Sequence, residues 1–278
     1  MILAIFAFTW YGFNMLFVLQ GLGRWQGESQ GVALVRTFAF NAAWTLALWS
    51  YFRCSCSDPG FVTDEWRDLV ENQPKGDDGP AGFDFQPGLQ SVCKKCQEKR
   101  PERAHHCSVC GKCVMRMDHH CPWVGNCVGF KNHKYFILML TYGFIACMIF
   151  AQAAWPWLKG MFVRVKGVQT VGKMTAGSVA MFSMASVLAG AFGISILMLL
   201  VSHIWLLFVN RTSIEVGYRG SNPYSLGLCH NAQQLLGGIS ADWMLPFTPT
   251  LPHADGYSYP TSAGAPSKLR SSVAPIEV

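Results

Sequence analysis

The stretch MRMDHHCPWVGNC, residues 115 to 127, sets an aspartate, two histidines and two cysteines among turn residues, and the rest of the chain reads outward from it. Seven of the eleven cysteines fall between Cys93 and Cys127, with His105, His106, His119 and His120 among them. Three C-x-x-C steps, at 93/96, 107/110 and 110/113, have the spacing at which two thiolates grip one tetrahedral ion. A segment this short and rich in Gly and Lys cannot build a sufficient apolar core, so bound zinc is the expected staple. A disulfide framework would leave one of the seven cysteines over. Thiolate sites belong in a reducing compartment, so the segment is expected to face the cytosol.

Composition around this segment points to a membrane. The 278 residues are 51% hydrophobic and only 14% charged, against roughly 25% charged in a soluble domain. Apolar runs cover 1–20, 32–52, 136–158 and 179–209, each near or above the ~20 residues that cross a bilayer. Trp25, Tyr51, Tyr135, Trp155 and Trp157 stand at their ends as interfacial anchors. The first run has neither the basic leader nor the cleavage site of a secretory signal. Arg36, about a turn into the second run, is expected to snorkel, and Cys147 and His203 to pack. The expected fold class is an all-α polytopic membrane protein with four transmembrane helices and a small cytosolic, zinc-stapled, cysteine-rich module between helices 2 and 3.

The expected layout is two transmembrane helices in 1–52, a juxtamembrane segment and linker in 53–90 with a short helix at 64–72, and the cysteine-rich domain in 91–134. Transmembrane helices 3 and 4 with a short lumenal loop follow in 135–209, then an ordered membrane-apposed segment in 210–246 and a disordered tail in 247–278, rich in Pro, Ser and Gly. The final residues, PIEV, offer a low-weight match to a PDZ-type partner. No internal repeat is evident beyond the doubled Cys/His pattern. The net charge of +6 is spread out, and 53–134 carries twelve basic residues against eleven acidic ones, which excludes a nucleic-acid surface. Polar residues in the apolar runs (Asn14, Arg36, Asn41, His203) are too scattered to line a transport path.

Two closed tetrahedral sites take eight ligands, and the module offers seven Cys and four His, so about three groups do something else. Pro122 biases Cys121 toward an extended conformation, in which alternate side chains point to opposite faces. If His120 turns to a metal, His119 and Cys121 share the other face, which puts a base beside a thiol with Asp118 close enough to orient the imidazole. The alternative is that Cys121 is an eighth thiolate in another pairing, or an inert thiol.

The run C-x2-C-x9-HC-x2-C-x2-C-x4-DHHC-x5-C from Cys93 to Cys127 resembles the cysteine-rich domain of the DHHC protein S-acyltransferases (palmitoyltransferases). Asp58-Pro59-Gly60, the TSIE of Thr212 to Glu215 and the NPYSLGLCHNAQQLLGG segment around Asn231 resemble that family's other motifs, with Ser213 in place of a threonine and Ala232 in place of an aromatic. The resemblance implies one zinc on Cys93, Cys96, His106 and Cys113 and a second on Cys107, Cys110, His120 and Cys127, both structural. It implies Cys121 as nucleophile, His119 as base and Asp118 as its partner, in transfer of a long-chain acyl group from palmitoyl-CoA or a similar donor to membrane-proximal cysteines of substrate proteins. The implied setting is the bilayer of endomembranes (Golgi, endoplasmic reticulum) or the plasma membrane, with the site cytosolic. A sixteen-carbon chain would stay in an apolar cavity between the spans, with Trp123 as its cap. Lys99, Arg100 and Arg103, or Lys131 and Lys134, are candidates to hold the CoA phosphates. Cys54 and Cys56 resemble juxtamembrane S-acylation sites. The alternative function is a membrane-anchored zinc-binding adaptor without catalysis.

Overall fold

The computed structural model describes residues 2–14, 29–71, 84–162, 176–250 and 254–262. Residues 15–20 of the first apolar run, Trp25, residues 72–83 of the juxtamembrane segment and linker, the loop carrying Arg164, Lys166 and Lys173, and the PIEV terminus lie outside the described residues. The described chain is mostly helical: α1 (Ile2–Tyr11), α2 (Gln30–Cys56), α3 (Asp64–Glu71), α4 (His133–Phe162), α5 (Ala176–Val209) and α6 (Leu228–Leu236). Three stretches, Gln30–Cys56, His133–Trp155 and Ala180–Val209, are long and apolar enough to cross a membrane, and Ile2–Asn14 is a shorter apolar helix. Large apolar side chains stay exposed along them, Leu34, Val35 and Phe38 on α2 and Ile194, Met198 and Val201 on α5, as lipid-facing helices require.

The chain divides into two compact units. The first comprises Met1–Trp49 and Leu138–Val201. Its core stacks Phe13 on Phe40 at 3.9 Å, with Phe150 and Phe182 alongside. Gly12 permits the closest approach, since a methyl there would come within 2.9 Å of Ala185 Cβ. Asn14 and Asn41 exchange amide hydrogen bonds of 3.2 and 2.9 Å, and Trp10 Nε1 donates to Asn41 Oδ1 at 3.0 Å. Each polar group thus finds a partner inside an apolar unit. An apolar pocket opens between Phe6, Phe40, Trp44, Ala146 and Phe192.

The second unit, Ser50–Ile137 and Ser202–Val278, holds the cysteine module. Six short strands form three antiparallel hairpins: β1–β2 (Ser91–Val92, Lys99–Arg100), β3–β4 (His105–Cys107, Lys112–Val114) and β5–β6 (His119–Cys121, Asn126–Val128). Around them Trp66 of α3, Met115, Phe130, Tyr224 and Tyr259 make one buried cluster. The disordered tail expected from 247 needs correction at 254–262. Tyr257 stacks on Trp66 at 5.4 Å, Tyr259 is buried, and its backbone N–H donates to Glu102 at 2.8 Å. Two aromatic rings with apolar seats outweigh a loop-like composition. Tyr135 is also no lipid-facing anchor: it is 1% exposed and its hydroxyl accepts from Arg53 at 2.6 Å.

Candidate active site

The three hairpins share one register. Ser91 pairs with Arg100, His105 with Val114 and His119 with Val128, so each hairpin begins fourteen residues after the last. Each bends through the same turn, in which the amide four residues on donates to the carbonyl of the first cysteine: Gln97 to Cys93, Gly111 to Cys107 and Gly125 to Cys121. The donor residues have φ of +60°, +69° and +65°, a conformation glycine adopts without strain. The sequence displays only the doubled Cys/His part of this threefold repeat. Its first copy carries Ser91-Val92 where the others carry His-His.

The repeat decides which groups gather. The C-x-x-C of one hairpin meets the His and Cys of the next, giving Cys93, Cys96, His106 and Cys113 in one cluster and Cys107, Cys110, His120 and Cys127 in another, with ligand atoms within 4.8 Å of one another. Two sulfurs at the ~2.3 Å of a zinc–thiolate bond would sit about 3.8 Å apart along a tetrahedral edge. Cys96 and Cys113 are 3.9 Å apart, and Cys110 and Cys127 are 3.5 Å apart. His106 Nδ1 is 3.1 Å from Cys96, and His120 Nδ1 is 3.4 Å from Cys110. Both sets could hold a metal ion, and their three sulfurs and one imidazole are soft-donor sets suited to zinc.

Cys121 occupies the position that Cys93 and Cys107 occupy in their hairpins, but its knuckle partner is Val124 rather than a cysteine. Where a fourth hairpin would supply a His and a Cys, the chain has become α4. Cys121 therefore belongs to neither cluster. It remains buried, in an extended strand before Pro122, and Asn126 across the ladder donates to the carbonyls of Cys54, Ser55 and Ser57 at 3.1, 3.2 and 2.8 Å. Ser55 Oγ donates to Val124 O at 2.6 Å. Burial opposes its thiolate, but a hydrogen bond with His119 and the backbone N–H groups of Val124 and Trp123 outweigh it and lower the Cys121 pKa. The turn that places thiols in the two metal-capable sets in the first two hairpins here holds a thiol outside both.

Behind the thiol, His119 Nδ1 bonds Asp118 Oδ2 at 2.7 Å. Burial opposes the imidazolium, and the bonds to Asp118 and Cys121 raise it to about 9. Asp118 is fully buried, which works against its charge, yet His119 and Ser213 hold it far below the usual carboxylate range. Ser213 supplies both its backbone N–H, 2.9 Å from Oδ1, and its hydroxyl, 2.8 Å from Oδ2. The surrounding TSIE forms a capping box: Thr212 N–H donates to Glu215 Oε2 at 2.9 Å, and Glu215 N–H donates to Thr212 Oγ1 at 3.3 Å. Thiol, imidazole and carboxylate in this order can activate a sulfur nucleophile. The chain belongs to the DHHC palmitoyltransferase family. The family model matches residues 87–217. Probable protein S-acyltransferase 14 of Arabidopsis thaliana is 33% identical, covering 82% of this chain and 78% of its own length. Palmitoyltransferase ZDHHC2 of Homo sapiens is 30% identical, covering 90% of this chain and 74% of its own.

The structure corrects one expectation drawn from the placement of basic residues. Arg103 is no CoA ligand: its side chain is 1% exposed and grips Glu215 bidentately at 2.7 and 2.8 Å, between the rings of Tyr224 and Tyr259. Nη1 and Nη2 also donate to Asn210 Oδ1 and O at 3.2 and 2.9 Å, so four of its five N–H donors are taken inside the protein and the buried group is closed to a phosphate. Lys134 is likewise buried, its ammonium donating to Phe247 O at 3.0 Å, and Lys131 pairs with Asp58 at 3.1 Å. Lys99 and Arg100 remain half-buried, with Arg100 Nε on Ser91 Oγ at 2.9 Å. Trp123 is 50% exposed beside Cys121. Cys54 is fully buried and Cys56 exposed, so only Cys56 is open to modification. Asn231 ties α6 to the end of α5, donating to Phe208 O at 2.6 Å, while Ala232 and Leu235 pack on Ile137 and Leu207.

Proposed function

We propose that this chain is a protein S-acyltransferase that moves a long-chain acyl group from acyl-CoA, through a thioester on Cys121, to cysteines of substrate proteins. The observation that carries this reading is a thiol excluded from both metal clusters and joined to His119 and Asp118. In the first step the Cys121 thiolate attacks the thioester carbonyl, the bond from that carbon to the CoA sulfur breaks, and CoA leaves with a proton from the His119 imidazolium. In the second step His119 takes the proton of an incoming protein thiol. That sulfur displaces Cys121, which is restored. Each step exchanges one thioester for another, so the site must supply a thiolate, a base and orientation rather than a large driving force. Asp118 keeps the His119 proton on Nδ1 and stabilises the imidazolium.

The eight clustered residues would hold two structural zinc ions, which with four protein ligands each supply cross-links and no open coordination position. Ile2–Asn14 would begin a fourth membrane span, and the thiolate-rich module would face the cytosol of an endomembrane or the plasma membrane. The apolar lining of the pocket in the first unit suits contact with a fatty-acyl chain.

Incubation of the full chain with labelled palmitoyl-CoA is expected to give a label released by hydroxylamine, lost in Cys121→Ser and retained in Cys56→Ser. Retention of that label in Cys121→Ser would overturn the reading and favour an adaptor carrying adventitious acylation.

A further inference from the structure

Behind Asp118 lies a line of buried polar side chains that the two steps above do not use. Arg116 Nη1 is 3.2 Å from His133 Nδ1, and His133 Nε2 is 3.3 Å from His203 Nδ1. A carboxylate oxygen of Asp118 and one ring nitrogen of each histidine lie within 4.8 Å of one another. Arg116, Asp118, His133 and His203 are 3%, 0%, 2% and 4% exposed. The His203 ring packs on His119, with centroids 5.9 Å apart and planes at 46°. Phe136 stands edge-on to both, 4.9 Å from His203 and 5.3 Å from His119.

An aspartate and two histidines this close invite a third metal site, but hydrogen-bond direction argues otherwise. A guanidinium only donates, so His133 Nδ1 must accept. The ring proton then sits on Nε2 and points at His203 Nδ1, which accepts in turn and carries its own proton on Nε2. A cation here would need a lone pair that His133 no longer offers, and it would stand beside the guanidinium charge. Arg116 is itself fixed, its Nη2 donating to Asn210 Oδ1 at 3.3 Å. Asn210 is buried and bonded to Tyr224 O and Gln234 Oε1, both at 2.8 Å.

We propose that Arg116, His133 and His203 are positioning residues: a one-way hydrogen-bond relay that orders the surroundings of the Asp118 carboxylate and the plane of the His119 imidazole. No proton travels along it. The guanidinium sets the tautomer of His133, His133 sets that of His203, and His203 packs its ring on His119 with a ring nitrogen within 4.8 Å of an Asp118 carboxylate oxygen. Removing either histidine leaves a buried donor or acceptor unpaired and frees the rings on His119 to turn. The inference rests on the reading of Cys121 as the nucleophile.

The test uses full-length His203→Leu, His133→Leu, the double variant, His203→Gln and Phe136→Leu. For each, the acylation rate of Cys121 at saturating palmitoyl-CoA, the half-saturating concentration and the metal content are measured. Alkylation of Cys121 by iodoacetamide is followed separately without any acyl donor. Each leucine variant is expected to slow acylation and alkylation about tenfold or more, with half-saturation and metal content unchanged. The double variant should be no slower than the slower single, His203→Gln should recover part of the loss, and Phe136→Leu, which removes packing but no hydrogen bond, should cost less than either. Rates within about twofold of wild type in both leucine variants would overturn the relay. So would a Phe136→Leu loss as large as theirs, or a third equivalent of metal that disappears in His203→Leu. Alkylation needs no acyl donor, so histidine-dependent alkylation in a chain that takes no acyl group would overturn the acyl-transfer reading and leave the relay standing.

Discussion

The second and third hairpins of the cysteine module share the residues HHC, an antiparallel register and a turn, yet they treat their first and third residues in opposite ways. In the second, Cys107 faces Cys110 and His120 in a set able to hold a metal ion, while His105 turns to Tyr218 at 3.3 Å. In the third, Cys121 is left out of the metal and His119 faces it. The residue before each pair separates the histidines: Ala104 precedes His105, and Asp118 precedes His119. Burial and the nearby Arg100 push His105 down to about 4, so it stays neutral, whereas Asp118 lifts His119 to about 9. The same backbone hairpin thus carries a metal-capable thiol in one copy and a thiol beside a charged imidazole in the next, the differences being a carboxylate before the histidine, a valine for the second knuckle thiol, and Lys134 and Thr141 where a further hairpin would supply His and Cys.

The largest expected effect breaks the comparison at its cysteines. Cys107→Ser should lose a metal equivalent and expose the module to proteolysis, since structural zinc sites contribute about 10 kcal/mol or more of folding free energy. Cys121→Ser should keep both metals and full protease resistance while losing acylation. Asp118→Ala, which makes the third hairpin read like the second, is expected to slow single-turnover acylation by about a hundredfold or more, the usual scale of general-base catalysis. Ser213→Ala removes one hydroxyl bond to a charged carboxylate, about 1.5 kcal/mol or more, and should cost roughly tenfold in the same assay, with Ser213→Thr close to wild type.

The pH profile sharpens the contrast further. A lowered Cys121 pKa means that its thiolate forms below the ordinary thiol range, so alkylation by iodoacetamide should already be fast near neutrality. The imidazolium that favours this thiolate persists until the pH passes about 9. His119→Gln should therefore move the alkylation midpoint upward, and His105→Gln should not move it. The smallest effect is expected from Val124→Cys. It restores the knuckle pair, but Lys134 and Thr141 stand where a further hairpin would place His and Cys. Metal content should stay at that of the wild type.

Much of this site is legible in sequence, because local rules control it. Pro122 after Cys121 signals the extended strand and Cys/His spacing signals metal binding, whereas the two interleaved sets are implied by the family resemblance and gathered by the structure. The threefold repeat is harder to read: its first copy lacks the histidines, and Gln97 stands where the other two use glycine, so the shared turn is visible only in backbone angles. Arg103 is misleading in sequence, because its neighbours Lys99 and Arg100 suggest an anion site while its true partner, Glu215, is 112 residues away. The seat of Tyr257 and Tyr259 is hidden for the same reason, since Trp66 and Glu102 lie far upstream. Helices long enough to span are plain from composition, whereas the course of the first apolar run after Asn14 lies outside the described residues.

The interleaving of the clusters makes the two metal positions unequal. His120 of the second cluster lies on the same strand as His119 and Cys121, and Cys127 lies on the strand paired with it, whereas the first cluster reaches no farther than Cys113. Were both sets to hold ions, loss from the second would slacken the strand that carries Cys121, while loss from the first would loosen a neighbour. A heavy-metal competitor or an oxidant acting on Cys110 or Cys127 could then silence lipid attachment without ever touching Cys121.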